Sequence, residues 1–164
     1  ALTTVVGRKS VMEAAQNTFI SSTFWTERIG PAAALATLEV MEETKSWEVI
    51  TNVGNKMNQG WQKLADDHNL EIDISGIPSL STYSFKSNRS IEYKTFITQE
   101  MLKKGYLAST NFYASTAHNE DNLNLYFEAL NDVYMLIAAC EKGDMKIQNL
   151  LKGPICHSGF KRLN

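Results

Sequence analysis

The residues with the clearest chemical potential lie in one stretch, Phe19 to Glu39. There the hydroxyls of Ser21, Ser22 and Thr23 run almost directly into Pro31-Ala32-Ala33-Ala34-Leu35-Ala36, the opening of a helix built from small side chains. Hydroxyls and backbone N–H donors gathered at a helix N-terminus make a ready site for an anion. The small residues behind them let such a helix lie close to its neighbours. Other residues of chemical interest invite plainer readings. His118 opens the last helix and reads as a structural hydrogen-bonder. Cys156 and His157 are adjacent, and adjacent side chains rarely aim at each other; no orienting acid is implied. Asp66, Asp67 and His68 stand at a helix end and read as solvated. The sequence holds no glycine-rich phosphate loop and no metal-ligand spacing.

Composition narrows the field less. The chain has 164 residues, 43% hydrophobic and 21% charged, the profile of a soluble globular protein. Its net charge of -2 argues against a nucleic-acid or anionic-membrane binder, which would carry a basic face. No run of 18 or more apolar residues occurs, so no membrane span is expected. Cys140 and Cys156 read as free thiols in a reducing cytoplasm.

Several elements must position these residues. Leu2–Val6 reads as an apolar strand, and a strand so early has no evident partner in the next sixty residues; it is expected to be the orphan of a larger sheet, so that the chain is a truncated piece. Ser10-Val11-Met12-Glu13 has capping-box spacing. A helix over 26–43 follows, with Leu35, Leu38 and Met41 as its buried stripe. Pro31 sits either at its first position or, if the helix starts earlier, in its second turn. Trp47, Ile50, Gly54, Met57, Trp61 and Leu64 alternate in steps of three and four, which predicts an amphipathic helix over 46–68. Gly54 weakens such a helix by roughly 1 kcal/mol relative to alanine, so close approach of another backbone is expected there.

The period then changes. Residues 71–74 and 80–85 alternate and predict two antiparallel strands. Ser90 is expected to cap a helix to Lys104 with Tyr93, Phe96, Ile97 and Met101 inward and Gly105 as its stop. Tyr106–Ala108 reads as a strand. Asn119 begins a long helix closed by Lys142-Gly143, and Asp144 caps a short one to Lys152. The order is an open α+β layer with helices against one sheet face.

Motifs in the same order resemble a known family. Gly7-Arg8-Lys9-Ser10-Val11-Met12, the Ser22-Thr23 loop with its Ala-rich helix, Met101-Leu102-Lys103-Lys104-Gly105-Tyr106-Leu107 and Ser115-Thr116-Ala117-His118-Asn119-Glu120-Asp121 are similar to successive elements of class III (fold type I) pyridoxal-phosphate-dependent aminotransferases, especially the glutamate-1-semialdehyde aminomutase group. The resemblance covers residues 1 to about 140. It implies an α+β fold: a remnant of the large cofactor-binding domain with its linking helix over 1–45, and the small C-terminal domain over 46–164. It implies pyridoxal 5'-phosphate as cofactor of the full-length parent, with Thr23 and Ser22 as cofactor-binding residues, Thr23 donating to the phosphate across a homodimer. Phe24, Thr110 and Asn111 would line the substrate pocket for small amine and carbonyl substrates. The lysine that forms the Schiff base stands in no motif of this chain, so no catalytic residue is expected here.

Two departures qualify the resemblance. Trp25-Thr26-Glu27-Arg28 replaces the family's Ser-Gly-Asn-Pro, and Thr110 stands where the aminomutases carry a glutamate. The latter favours an ordinary transaminase over an aminomutase. An Arg-x-x-Pro-Pro element near the C-terminus is missing, which argues against the branch that grips an α-carboxylate. The competing expectation is a non-catalytic α+β module that assembles with a partner chain.

Overall fold

The computed structural model describes residues 3–19, Phe24 and 27–159. They fall into two compact units, divided after Ser46. In the first unit residues 3–8 carry no regular structure. The strand expected over Leu2–Val6 is therefore absent across Thr3–Val6, and Leu2 lies outside the described residues. Backbone of this kind becomes a strand only when another strand meets its donors and acceptors, and none among the described residues does. The first helix, α1, is Lys9–Met12, followed by a 3-10 turn over Glu13–Asn17. Ser10 sits inside α1, which is entered from Arg8 without a side-chain cap, so the capping box does not form.

The second helix, α2, is Ile29–Thr44. It starts later than residue 26, with the Ile29 N–H donating to the Glu27 carboxylate at 3.2 Å. Pro31 is its third residue, in the first turn, where a missing N–H forfeits no intrahelical bond. The stripe expected to be buried is exposed: Leu35 is 63% and Leu38 60% accessible, and no side chain of α2 is buried. The helical spacing is there, but nothing among the described residues covers it.

The second unit holds the core. A single left-handed residue, Lys45, ends α2, and α3 runs Ser46–Asp67. Two strands follow, β1 Ile72–Ile77 and β2 Leu80–Phe85, then α4 Ser90–Lys103, β3 Asn111–Tyr113, α5 Glu120–Lys142 and α6 Ile147–Leu150. The strands form one antiparallel sheet in the order β1-β2-β3, with Ile72 opposite Phe85 and Leu80 opposite Tyr113. This is the expected α+β layer. Tyr83 and Phe85 alternate onto one face of β2, and Trp61 of α3, Tyr93 of α4 and Tyr134 of α5 pack their rings on that face.

Where α3 crosses the β1–β2 turn, the helix has no room for a side chain. A Cβ placed on Gly54 would lie 1.7 Å from the Pro78 carbonyl oxygen, so the close backbone approach expected from sequence is real. The amphipathic seam holds from Val53 through Leu64, whereas Trp47 at its start is exposed. Tyr93, Phe96, Ile97 and Met101 are buried on α4 as expected. Its entrance is ordered differently: the Ser87 hydroxyl accepts from the Arg89 N–H, and Ser90 supplies no cap. Tyr106–Ala108 is not a strand; the third strand comes later, and Leu107 is 97% exposed. Asn119 caps α5 by accepting from the Asn122 N–H at 2.9 Å, and Gly143 closes it at φ 88°. The short helix after it is only α6, entered from Lys146 and not capped by Asp144.

Gly54 and Gly60 therefore differ in consequence. A Cβ at Gly60 would meet the half-buried Phe127 ring at 2.1 Å, and a ring can move where a main-chain carbonyl cannot. Alanine at either site gains about 1 kcal/mol of helix propensity. Gly54→Ala is expected to lose a net of about 1–3 kcal/mol through overpacking, and Gly60→Ala to lose less. Urea denaturation of the two variants checks the order.

Candidate functional site

Ser22 and Thr23, the residues with the strongest claim on an anion, lie outside the described residues. Phe24 is a turn residue of the first unit with an exposed side chain. Thr110 and Asn111 belong to the second unit and play different parts. Thr110 is 3% exposed. Its carbonyl accepts from the Tyr83 N–H at 2.9 Å and the Thr82 hydroxyl at 3.1 Å, which ties the start of β3 to β2. Its own hydroxyl reaches Asn111 Oδ1 at 3.4 Å. Thr110 thus spends its carbonyl on the sheet, while Asn111 opens onto a cavity.

That cavity, of about 470 Å³, lies between α3, the loop after α4, β3 and the start of α5. Met57, Tyr106, Phe112, Leu123 and Tyr126 give it apolar and aromatic walls; Asn111, His118 and Asn122 give it polar ones. Its aromatic wall is held by the core. The buried Trp61 Nε1–H donates to the Tyr126 hydroxyl at 3.0 Å, which locks α3 to α5. The His118 ring lies 4.9 Å from the Phe112 ring, and its Nδ1 accepts from the Ser115 N–H at 3.0 Å. His118 is therefore a structural hydrogen-bonder, as its position suggests, and a cavity wall besides. Apart from Asn111, sequence reasoning did not find these walls. The only local signals were Gly105, which turns the chain out of α4, and His118 at the helix start.

The remaining residues of chemical interest are dispersed. The Cys156 N–H donates to Thr95 Oγ1 at 3.0 Å, and its thiol faces the Ile91 carbonyl rather than His157. His68 Nε2 pairs with Asn131 Oδ1 at 2.9 Å, and Asp66 accepts from Gln62. On the far side of the sheet's helical cover, Glu141 accepts from both the Tyr93 and Ser87 hydroxyls, and Arg89 donates to the Cys140 carbonyl at 2.9 Å. This cluster fastens the start of α4 to the end of α5, where a cation is favoured. No helix among the described residues is long and apolar enough to cross a membrane.

The chain matches no protein-family model. Over 138 residues it is 23% identical to the 3-aminobutyryl-CoA aminotransferase of Cloacimonas acidaminovorans (strain Evry), an alignment covering 80% of this chain and 33% of that protein. It is 22% identical over 138 residues to the aminopentol aminotransferase of Sphingopyxis macrogoltabida, covering 83% of this chain and 33% of that one. The chain spans about a third of the length of the curated relatives it matches. Its fold superposes on the PLP internal aldimine form of the FumI protein of Sphingopyxis sp. MTA144 with a TM-score of 0.71 at 21% identity, over 89% of this chain and 36% of that one. The chain is thus similar in sequence to aminotransferases and shares its α+β fold with part of a pyridoxal-phosphate protein.

The tyrosines around the cavity and core give two tests. Tyr126→Phe strands the Trp61 N–H in the core and is expected to cost about 1–3 kcal/mol. Tyr83→Phe removes a buried hydroxyl without a partner among the described residues, so its cost stays below about 1 kcal/mol. Denaturant midpoints compare the two. Burial pushes Tyr126 up to about 12, offset in part by the Trp61 hydrogen bond, and burial likewise raises Tyr83, Tyr93 and Tyr134. A raised folded-state value stabilises the neutral phenol fully below the unfolded value of about 10. Stability should hold up to about pH 10 and fall as pH rises beyond it, read by denaturation midpoints alongside phenolate absorbance.

Proposed function

We propose that this chain is the C-terminal portion of a pyridoxal-phosphate-dependent aminotransferase. The observation that carries the reading is the alignment of two aminotransferases over four-fifths of the chain. The fold shared with a pyridoxal-phosphate protein supports it. In this reading residues 1–45 come from the large domain and 46–164 form the small one. The whole enzyme is a class III, fold type I homodimer of the cytoplasm, and this chain binds the missing N-terminal portion of the same protein.

The cofactor, when bound in such an enzyme, supplies an electron sink for amino-group transfer. The described residues do not complete a site for it. The cavity is lined by no lysine and no arginine, so it offers neither an amine to hold the cofactor nor a cation for its phosphate. What this chain contributes is therefore binding and shape. Thr23, with Ser22, donates to the phosphate from the hydroxyl-rich segment that precedes α2 in sequence. Phe24, Thr110 and Asn111 wall the substrate pocket, Thr110 by holding β3 in place and Asn111 by direct contact. Within the aminotransferases the aminomutase-like group is the nearest in its motifs. Thr110 in place of the glutamate, buried and with its carbonyl tied to β2, inclines the reaction toward transamination of an amine and a carbonyl compound.

Two experiments test this. The purified 164-residue chain with pyridoxal 5'-phosphate is expected to give no turnover and no borohydride-trapped adduct at a single lysine; stoichiometric trapping with turnover would overturn the reading. In the full-length parent, Thr23→Val is expected to weaken cofactor retention by about tenfold to a hundredfold, the value of a hydrogen bond to a charged group. Equilibrium dialysis reads it. Unchanged retention with a lowered melting temperature would give Thr23 a role in the fold and none at the phosphate.

A further inference from the structure

The cavity beside β3 has a polar group that the fold does not use. His118 accepts the Ser115 N–H at Nδ1, so the neutral ring carries its proton on Nε2. Among the described residues no partner meets that Nε2–H. The ring cannot swing away easily, because Phe112 lies against one side at 4.9 Å and the Ser115 bond fixes its edge. Asn111 and Asn122 bring amide groups to the same space. Around them the walls are Met57, Phe112, Tyr126 and other apolar side chains.

The charge content of the lining restricts what can enter. No Lys, Arg, Asp or Glu lines the cavity. Of the charged residues next to the lining in sequence, Lys56 pairs with Glu120 and Lys104 with Asp132, while Asp121 adjoins Asn122. An ion moved against these walls would lose part of its water without gaining a counter-charge from the lining. A neutral acceptor meets a ready donor there and loses little. The volume, about 470 Å³, falls within the range of small-molecule sites, roughly 300–1,000 Å³. From these observations we propose that the cavity is a binding site for a neutral small molecule with an apolar body and one carbonyl-type acceptor, which takes the hydrogen bond of His118 Nε2–H. The site is built wholly from the second unit and shares Asn111 with the substrate pocket of the proposed function, but binding to it is read on this chain alone, without cofactor or turnover.

Hexanamide is a suitable probe, with hexanoate and hexylammonium as charged counterparts of the same length. Titration of each into the isotopically labelled 164-residue chain is followed by nuclear magnetic resonance. Hexanamide is expected to shift Met57, Phe112, His118 and Leu123 saturably, with a dissociation constant on the order of a few millimolar, as so small a ligand allows. The two ions should bind at least about tenfold more weakly. His118→Asn keeps an acceptor where Nδ1 was and deletes the Nε2–H. It should leave the Ser115 amide signal in place and weaken hexanamide about fivefold, the value of one neutral hydrogen bond. The proposal is overturned by equal binding of the ions, by shifts scattered away from the cavity, or by no saturable shift. Undiminished binding to His118→Asn, with the Ser115 signal intact, overturns it equally. Should that variant lose its fold, Ala108→Phe, which narrows the cavity from the loop side, replaces it: undiminished hexanamide binding to that variant also overturns the proposal.

Discussion

The second unit depends on one face of one strand. Tyr83 and Phe85 lie two apart on β2, so both side chains leave the sheet on the same side. Each of the three long helices brings an aromatic ring to them: Trp61 at 4.6 Å from Tyr83, and Tyr93 and Tyr134 each at 5.5 Å from Phe85. Trp61, Tyr93 and Tyr134 are among the largest fully buried side chains. Burying rings of this size is worth about 4–6 kcal/mol each in apolar transfer, before conformational entropy is subtracted. A small antiparallel sheet is marginal alone in water; here it is stable because three helices share its aromatic face.

Everything at the cavity follows from that arrangement. α3 can reach the face only by passing the hairpin turn, and Gly54 opposite the Pro78 carbonyl makes the passage possible. Once Trp61 is seated, its N–H finds Tyr126 and draws α5 alongside α3. The start of α5 then stands off from the loop after α4, leaving the space that Asn111, His118 and Asn122 line. At the other end of the same helices, Glu141 receives Tyr93 and Ser87 and closes the layer. The cavity is thus a by-product of a tight core on one side and a short third strand on the other.

The first unit is organised on other terms. α2 is a good helix former by composition, and its apolar residues recur at helical spacing, yet none of its side chains is buried. Its stability comes from local hydrogen bonds, including the Thr37 and Thr44 hydroxyls folded back onto the carbonyls of Ala33 and Val40. Exposed Leu35 and Leu38 contribute no transfer free energy until something covers them.

How much could be read from the chain alone follows the range of each interaction. The amphipathic period of α3, the alternation in β1 and β2, the inward face of α4 and both ends of α5 are settled within a few residues, and the sequence by itself determined them. Asn119 starts the helix through its own side chain and Gly143 stops it through its own backbone. Gly54 even announced that a backbone must pass, though not which one. What only the tertiary structure decided depends on partners distant in sequence. Ser87 rather than Ser90 serves the entrance of α4, because the route out of β2 brings Ser87 onto Glu141. Tyr106–Ala108 has strand-like residues but no strand beside it, whereas Asn111–Tyr113 lies against Leu80–Thr82 and pairs. Leu35 and Leu38 have the spacing of a buried stripe, and no surface among the described residues buries it. Burial and pairing each require a second element, and period and spacing describe only the first.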